Sequence, residues 1–202
     1  MHKSSYDKVS DFRQRFLSGK EHEPLRIVDV GSQDVNGSYR PIFDAPAWQY
    51  TGVDLAPGRN VDVVLRHPYR WSELPSGSAD ILISGQAFEH ISQPWAAILE
   101  VARVLAPGGI CCIVAPSSGP EHRYPVDCWR IYPDGFVALA ALAELEVCEA
   151  VTQWQDAGYT DGSDTWHDSM LIARRPHLSA FNTLKADAKR WLRLTTMTLG
   201  AK

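Results

Sequence analysis

Two hydrophobic periods alternate along the chain. Val9, Phe12, Phe16 and Leu17 recur at helical spacing and Ser18-Gly19 stops the run, which predicts a helix over 9–17. Apolar runs of strand length follow at 25–31, 48–54, 61–65 and 79–84. Trp95, Ile98, Leu99, Ala102 and Leu105 mark one face of an amphipathic helix over 94–105, which Pro107-Gly108-Gly109 is expected to end. Residues 110–115 are apolar throughout, as in a central parallel strand covered on both faces. A helix over 133–143 opens on Pro133, and runs at 145–154 and 169–175 bring the strands to seven. Strands alternating with helical stretches predict an α/β fold with a doubly wound sheet. The expected organisation is an N-terminal helical segment over 1–24, a main domain over 25–176 and a basic C-terminal helix over 177–202.

Composition narrows the class. A chain of 202 residues with 45% hydrophobic and 22% charged residues fits one soluble globular domain. The longest apolar run, 136–143, is too short for an integral membrane span, and the first residues carry no apolar signal core, so a cytoplasmic location is expected. The net charge of −4 conceals an asymmetry. From Leu171 onward there are seven bases against Asp187 alone (+6), and the rest holds 13 bases against 23 acids (−10). An acidic body argues against nucleic acid as a ligand. Cys111, Cys112, Cys128 and Cys148 have neither CxxC nor zinc-like spacing, and reduced, buried thiols are expected.

Ligands of such sheets gather at the carboxyl ends of the strands. Asp29-Val30-Gly31-Ser32 ends the first strand, where glycine lets backbone approach a ligand. Asp54 ends the second, 23 residues on, where a carboxylate can accept both hydrogen bonds of a ribose diol. The spacing is not GxGxxG, so a pyrophosphate-binding dinucleotide loop is not supported.

Asp29-Val30-Gly31-Ser32, Tyr50-Thr51-Gly52-Val53-Asp54-Leu55, residues 79–84 with Phe88-Glu89-His90, and Leu105-Ala106-Pro107-Gly108-Gly109 stand in an order that resembles the class I S-adenosylmethionine-dependent methyltransferases, and within them the type-11 group. The resemblance implies a seven-stranded Rossmann-like sheet with its last strand antiparallel, and S-adenosylmethionine as cofactor. It implies Gly31 against the methionine moiety and Asp54 on the ribose, with Asp29, Ser32, Leu55 and Gln86 completing the cofactor set. Many relatives carry Asp near adenine where this chain has Arg66-His67-Pro68, so His67 is the candidate there.

An alcohol acceptor needs its proton removed by a group in hydrogen-bond reach. Residues 116–130 form a long polar and aromatic segment of the kind that carries function. His122 is the first candidate base, Asp127 its orienting partner, and His90 the second candidate. The wording of this segment resembles bacterial sugar O-methyltransferases of polysaccharide synthesis, including the one for mycobacterial methylmannose polysaccharide, which implies a hydroxyl of a small saccharide as acceptor. Other small-molecule or lipid hydroxyls, and a non-catalytic S-adenosylmethionine-binding protein, are the alternatives. Asp161, Asp164, His167 and Asp168 could hold Mg²⁺, against the plainer reading of a solvated acidic loop. Phe181, Leu184, Ala188, Trp191 and Leu192 interleave with Lys185, Lys189, Arg190 and Arg193. This helix could lie on an anionic membrane, pack on the sheet or form a homodimer interface.

Overall fold

A computed structural model describes residues 2–198. The parallel part of its sheet consists of β1 (Leu25–Val30), β2 (Trp48–Asp54), the short β3 (Val63–Val64), β4 (Ala79–Gly85) and β5 (Leu105–Ala115). Two further strands, β6 (Glu146–Thr152) and β7 (Ser169–Arg174), follow, and β7 runs antiparallel to both β5 and β6. The order β3-β2-β1-β4-β5-β7-β6 makes one seven-stranded sheet with its last strand antiparallel, as expected.

Period-two alternation splits β5 between two cores. Cys111, Ile113 and Ala115 face the layer of α2 (Pro94–Val104) and α3 (Pro133–Leu142), whereas Ile110, Cys112 and Val114 face α1 (Lys3–Leu17). Adjacent Cys111 and Cys112 thus lie buried on opposite faces; Cys128 and Cys148, expected to be buried, are exposed.

The Pro107-Gly108-Gly109 step does not end α2 as expected. The helix stops at Val104, and Leu105 already pairs with Ala79. Gly108 N–H donates to the Arg175 carbonyl (2.8 Å) and Arg175 N–H to that of Gly109 (2.8 Å), so the glycines belong to the ladder with β7. Helix α1 starts six residues earlier than the apolar spacing predicts, because its first turn docks through polar contacts. Ser5 Oγ meets Tyr39 Oη at 2.6 Å, Ser4 Oγ donates to Asp168, and Lys3 N–H donates to Asp161 (3.0 Å).

The basic tail forms α4 (Ala180–Thr198); residues 199–202, with Lys202, lie outside the described residues. It packs by a face other than the predicted apolar stripe, through Ala186, Arg190 and Leu194. The buried Arg190 donates to the Ala143 carbonyl (2.9 Å) and to Asp187 (2.9 Å), which also binds Arg175 at 2.8 Å. Phe181, Leu184, Trp191 and Leu192 face outward. Among the described residues no helix is long and apolar enough to cross a membrane.

Candidate functional site

The carboxyl ends of β1, β2 and β4 open into one cleft of about 870 Å³. On the β2 side lie Gly31, Ser32, Asp54 and Leu55; Leu65, Pro68, Tyr69 and Trp71 supply an apolar wall. On the β4 side lie Gln86 and His90, with residues 122–126 of the segment after β5.

Local geometry explains why these residues stand there. Gly31 has φ +79°, and a Cβ on it would sit 2.4 Å from the Ala87 Cβ, so the glycine lets the loop after β4 close against β1. Sequence reasoning assigned Gly31 to cofactor space alone; the packing of Ala87 is a second demand. Asp54 has its carboxylate fixed by three amides: Gln33 N–H (3.1 Å) on Oδ2, Leu55 N–H (2.7 Å) and Ala56 N–H (3.3 Å) on Oδ1. Ser32 donates through Oγ to the Asn60 carbonyl (3.1 Å) and braces the loop.

Asp29 reaches the cleft from a buried position, with the Tyr50 hydroxyl donating to its Oδ2 and no partner on Oδ1. Burial pushes its carboxyl up to about 7 although the Tyr50 hydrogen bond pulls the other way. Gln86, at φ +58°, donates through Nε2 to Asp168 (2.9 Å) and keeps a buried Oε1 without a partner.

His67 does not line the cleft. Its Nδ1 accepts the Tyr69 N–H at 3.0 Å, which stabilises the turn that sends Pro68, Tyr69 and Trp71 into the wall. The resemblance puts residues after Leu65 beside adenine, and Trp71 supplies one of the flat apolar faces expected near the loops; that Pro68 and Tyr69 join it in the wall is set by this turn.

His90 and His122 do come together, with ring centroids 4.9 Å apart and edge-on geometry, and the His122 ring also meets Trp166 at 4.6 Å. His90 Nδ1 contacts the Val126 carbonyl. Burial lowers the pKa of His122, with Asp127 opposing, so the ring favours its neutral form. Asp127 holds His122 through its backbone N–H (2.7 Å) rather than its ring, whose Nδ1 is 3.5 Å away. Its carboxylate is bound by Arg130 (2.7 and 2.8 Å), which keeps it well below the usual carboxylate range.

Glu89, named within the Phe88-Glu89-His90 motif but given no role there, is fully buried, and neither carboxylate oxygen accepts a hydrogen bond from another residue. Burial pushes it up to about 8. Adjacency to His90 was its one sequence signal, and burial is a tertiary property.

The acidic segment does not assemble as a cation site. Asp164 accepts the N–H groups of Ala157 (2.8 Å), Gly158 (2.9 Å) and Tyr159 (2.8 Å); Asp161 accepts from Ser163 and from the first turn of α1. Asp168 is buried between Ser4 and Gln86, and His167 Nδ1 bonds the Gln153 carbonyl (2.9 Å). Carboxylates at a helix N-terminus meet its unpaired amides and positive dipole end, so the loop anchors α1. Among the described residues, the group bringing three candidate ligand atoms within 4.8 Å of one another is Glu89, His90 and His122.

Residues 28–113 match the model of a family described as a methyltransferase domain. A protein of Mycolicibacterium gilvum named as an uncharacterized methyltransferase is 30% identical over 109 residues, 49% of this chain and 42% of the relative; the chain thus spans under half of its length. Among solved structures, the 1,6-didemethyltoxoflavin N1-methyltransferase of Burkholderia thailandensis, with 1,6-didemethyltoxoflavin and S-adenosylhomocysteine bound, superimposes with TM-score 0.65 at 14% identity, over 86% of this chain and 79% of that one. The [4+2]-cyclase SpnF gives TM-score 0.60 at 18% identity, over 84% and 80%. The fold is therefore the Rossmann-like methyltransferase fold, and a cyclase shares it.

Proposed function

We propose that the chain is an S-adenosylmethionine-dependent methyltransferase acting on a hydroxyl of a small saccharide. The observation that carries this reading is the continuity of the cleft, from Gly31 and Asp54 at one side to His90 and His122 at the other. The residues fit the cofactor on this chain's own geometry. Asp54 is pre-oriented for a ribose diol, and Leu65, Tyr69 and Trp71 border an apolar end of the cleft suited to a base. The orphaned Asp29 Oδ1 and Gln86 Oε1 are acceptors for a cationic amino-acid moiety. When bound, the cofactor supplies a methyl group on a sulfonium.

The protein's work is then to align an acceptor oxygen with that methyl and to free the oxygen of its proton. His122 is assigned to the proton, with Asp127 fixing its backbone and His90 beside it. Exposed Tyr124, which lines the cleft on the segment after β5, offers a face on which a sugar ring can stack. His122→Ala should lower kcat about 10²–10⁴-fold while binding of S-adenosylmethionine stays near wild type. Turnover to S-adenosylhomocysteine with mono- and oligosaccharide acceptors, against lipid and aromatic alcohols, tests the acceptor class. Methylation confined to the latter would sink the saccharide reading.

A further inference from the structure

The methyl-transfer reading leaves Glu89 without a task. A buried carboxylate with no partner is costly, and such groups are retained where a cation completes them. Its neighbours are set up for one. The Val126 carbonyl can only accept, so His90 Nδ1 carries the proton and Nε2 presents a lone pair. That Nε2 lies 3.7 Å from Glu89 Oε1. The gap is too long for a hydrogen bond. It suits two atoms that share one ion at about 2.1 Å each, which stand about 3.4–3.7 Å apart at tetrahedral or trigonal angles. A backbone carbonyl on the far nitrogen is also how ligating imidazoles are oriented.

His122 brings the third donor. Its Nδ1 is buried without a hydrogen-bond partner, and one ligand atom from each of the three residues lies within 4.8 Å of the others. Arg130, whose charge would oppose a cation here, is neutralised by the paired oxygens of Asp127.

We infer that Glu89, His90 and His122 form a binding site for a divalent first-row transition ion, with Zn²⁺ the expected occupant. Two imidazoles and one carboxylate match Zn²⁺ and its neighbours, whereas Mg²⁺ favours oxygen donors. Three protein ligands leave a coordination position open, as catalytic rather than structural sites do. Because His90 and His122 line the cleft, that position faces it. The role of the ion rests on the methyl-transfer reading, although its binding does not. An acceptor hydroxyl in the open position loses its proton to water more readily, the electron pair staying on oxygen. His122 then acts on the acceptor proton through the ion it helps to hold.

The test is a titration of chelator-treated protein with Co²⁺, followed by Zn²⁺ displacement. One Co²⁺ per chain should bind with visible d–d absorption, and Zn²⁺ should displace it. Glu89→Gln and His122→Ala should each weaken binding at least about 100-fold, and Asp161→Asn, in the acidic segment, should leave it unchanged. Circular dichroism checks the fold of each variant, and His122→Ala, in a partly exposed loop, serves if Glu89→Gln fails to fold. Absence of saturable binding, binding by both variants as tight as that of the unaltered protein, or preference for Mg²⁺ overturns the site. S-adenosylmethionine affinity is measured on the same samples. Ion binding without cofactor binding would leave the site standing and remove the methyltransferase reading; the converse would do the reverse.

Discussion

Asp54 shows how a single side chain becomes a binding group: three amides fix its carboxylate, so little orientation is lost when a diol arrives. Asp54→Asn exchanges a charged acceptor for a neutral one and should cost about 1.5–3 kcal/mol of cofactor affinity, read by isothermal titration. Unchanged affinity in a folded variant removes the ribose assignment. Asp29 is the pH-sensitive residue. With a folded pKa of about 7 against an ordinary 3.8, it binds its proton more tightly in the folded state. Its stabilising contribution is therefore complete below about pH 4 and is lost as pH rises through 7. Urea unfolding between pH 4 and 8 should show wild-type stability falling by a few kcal/mol from this source. Asp29→Asn, uncharged throughout, should flatten that fall; an equally steep variant would refute the assignment. Both aspartates could be picked out from strand ends. The parting of His67 from the cleft could not, because it depends on a side-chain-to-backbone bond across two residues.

Among the elements, α2 governs the apolar wall of the cleft. Its Glu100 is almost fully buried, accepts the Trp71 N–H at 2.8 Å and pairs with Arg103, which donates in turn to the Trp71 and Leu74 carbonyls (2.8 Å each). Glu100→Ala strands a buried amide and frees Arg103, so a loss of about 1–3 kcal/mol is expected in denaturant unfolding. Weaker cofactor binding should accompany it, because Tyr69 and Trp71 lose their support; stability lost with affinity intact would separate the wall from the cofactor. The helical spacing of α2 was legible in Trp95, Ile98, Leu99 and Ala102. That Glu100 would face inward was not, because the amphipathic pattern assigns charge to solvent and the Trp71 amide that it accepts comes from a distant loop. Helix α4 inverted its predicted faces for a related reason. Arg190 finds the Ala143 carbonyl and Asp187, so a charged residue is buried and Phe181, Leu184 and Trp191 are left outside.

The whole molecule is a sheet with a core on each side, and its thiols report on that arrangement. Cys111 and Cys112 are fully buried in different cores, whereas Cys128 and Cys148 are exposed. In native buffer, two thiols per chain should react promptly with Ellman's reagent and the other two only on unfolding. Four fast thiols would contradict the central place of β5. Burial also pushes Cys111 up to about 12, which suppresses its thiolate in the folded chain.

The sequence by itself determined the seven strands, the order in which they appear and the loops at their carboxyl ends, because period-two and period-3.6 patterns are written in consecutive residues. It also singled out Gly31, Asp54, His90 and His122. Only the tertiary structure decided which acids serve and which merely brace. Asp161, Asp164 and Asp168 look like cation ligands until α1 and neighbouring loop amides and side chains occupy them, and Glu89 looks ordinary until burial removes its partners. Those outcomes depend on groups up to 164 positions away, as between Ser4 and Asp168. Hydrogen-bond satisfaction and desolvation are settled by contacts across the fold, on which local periodicity carries no information.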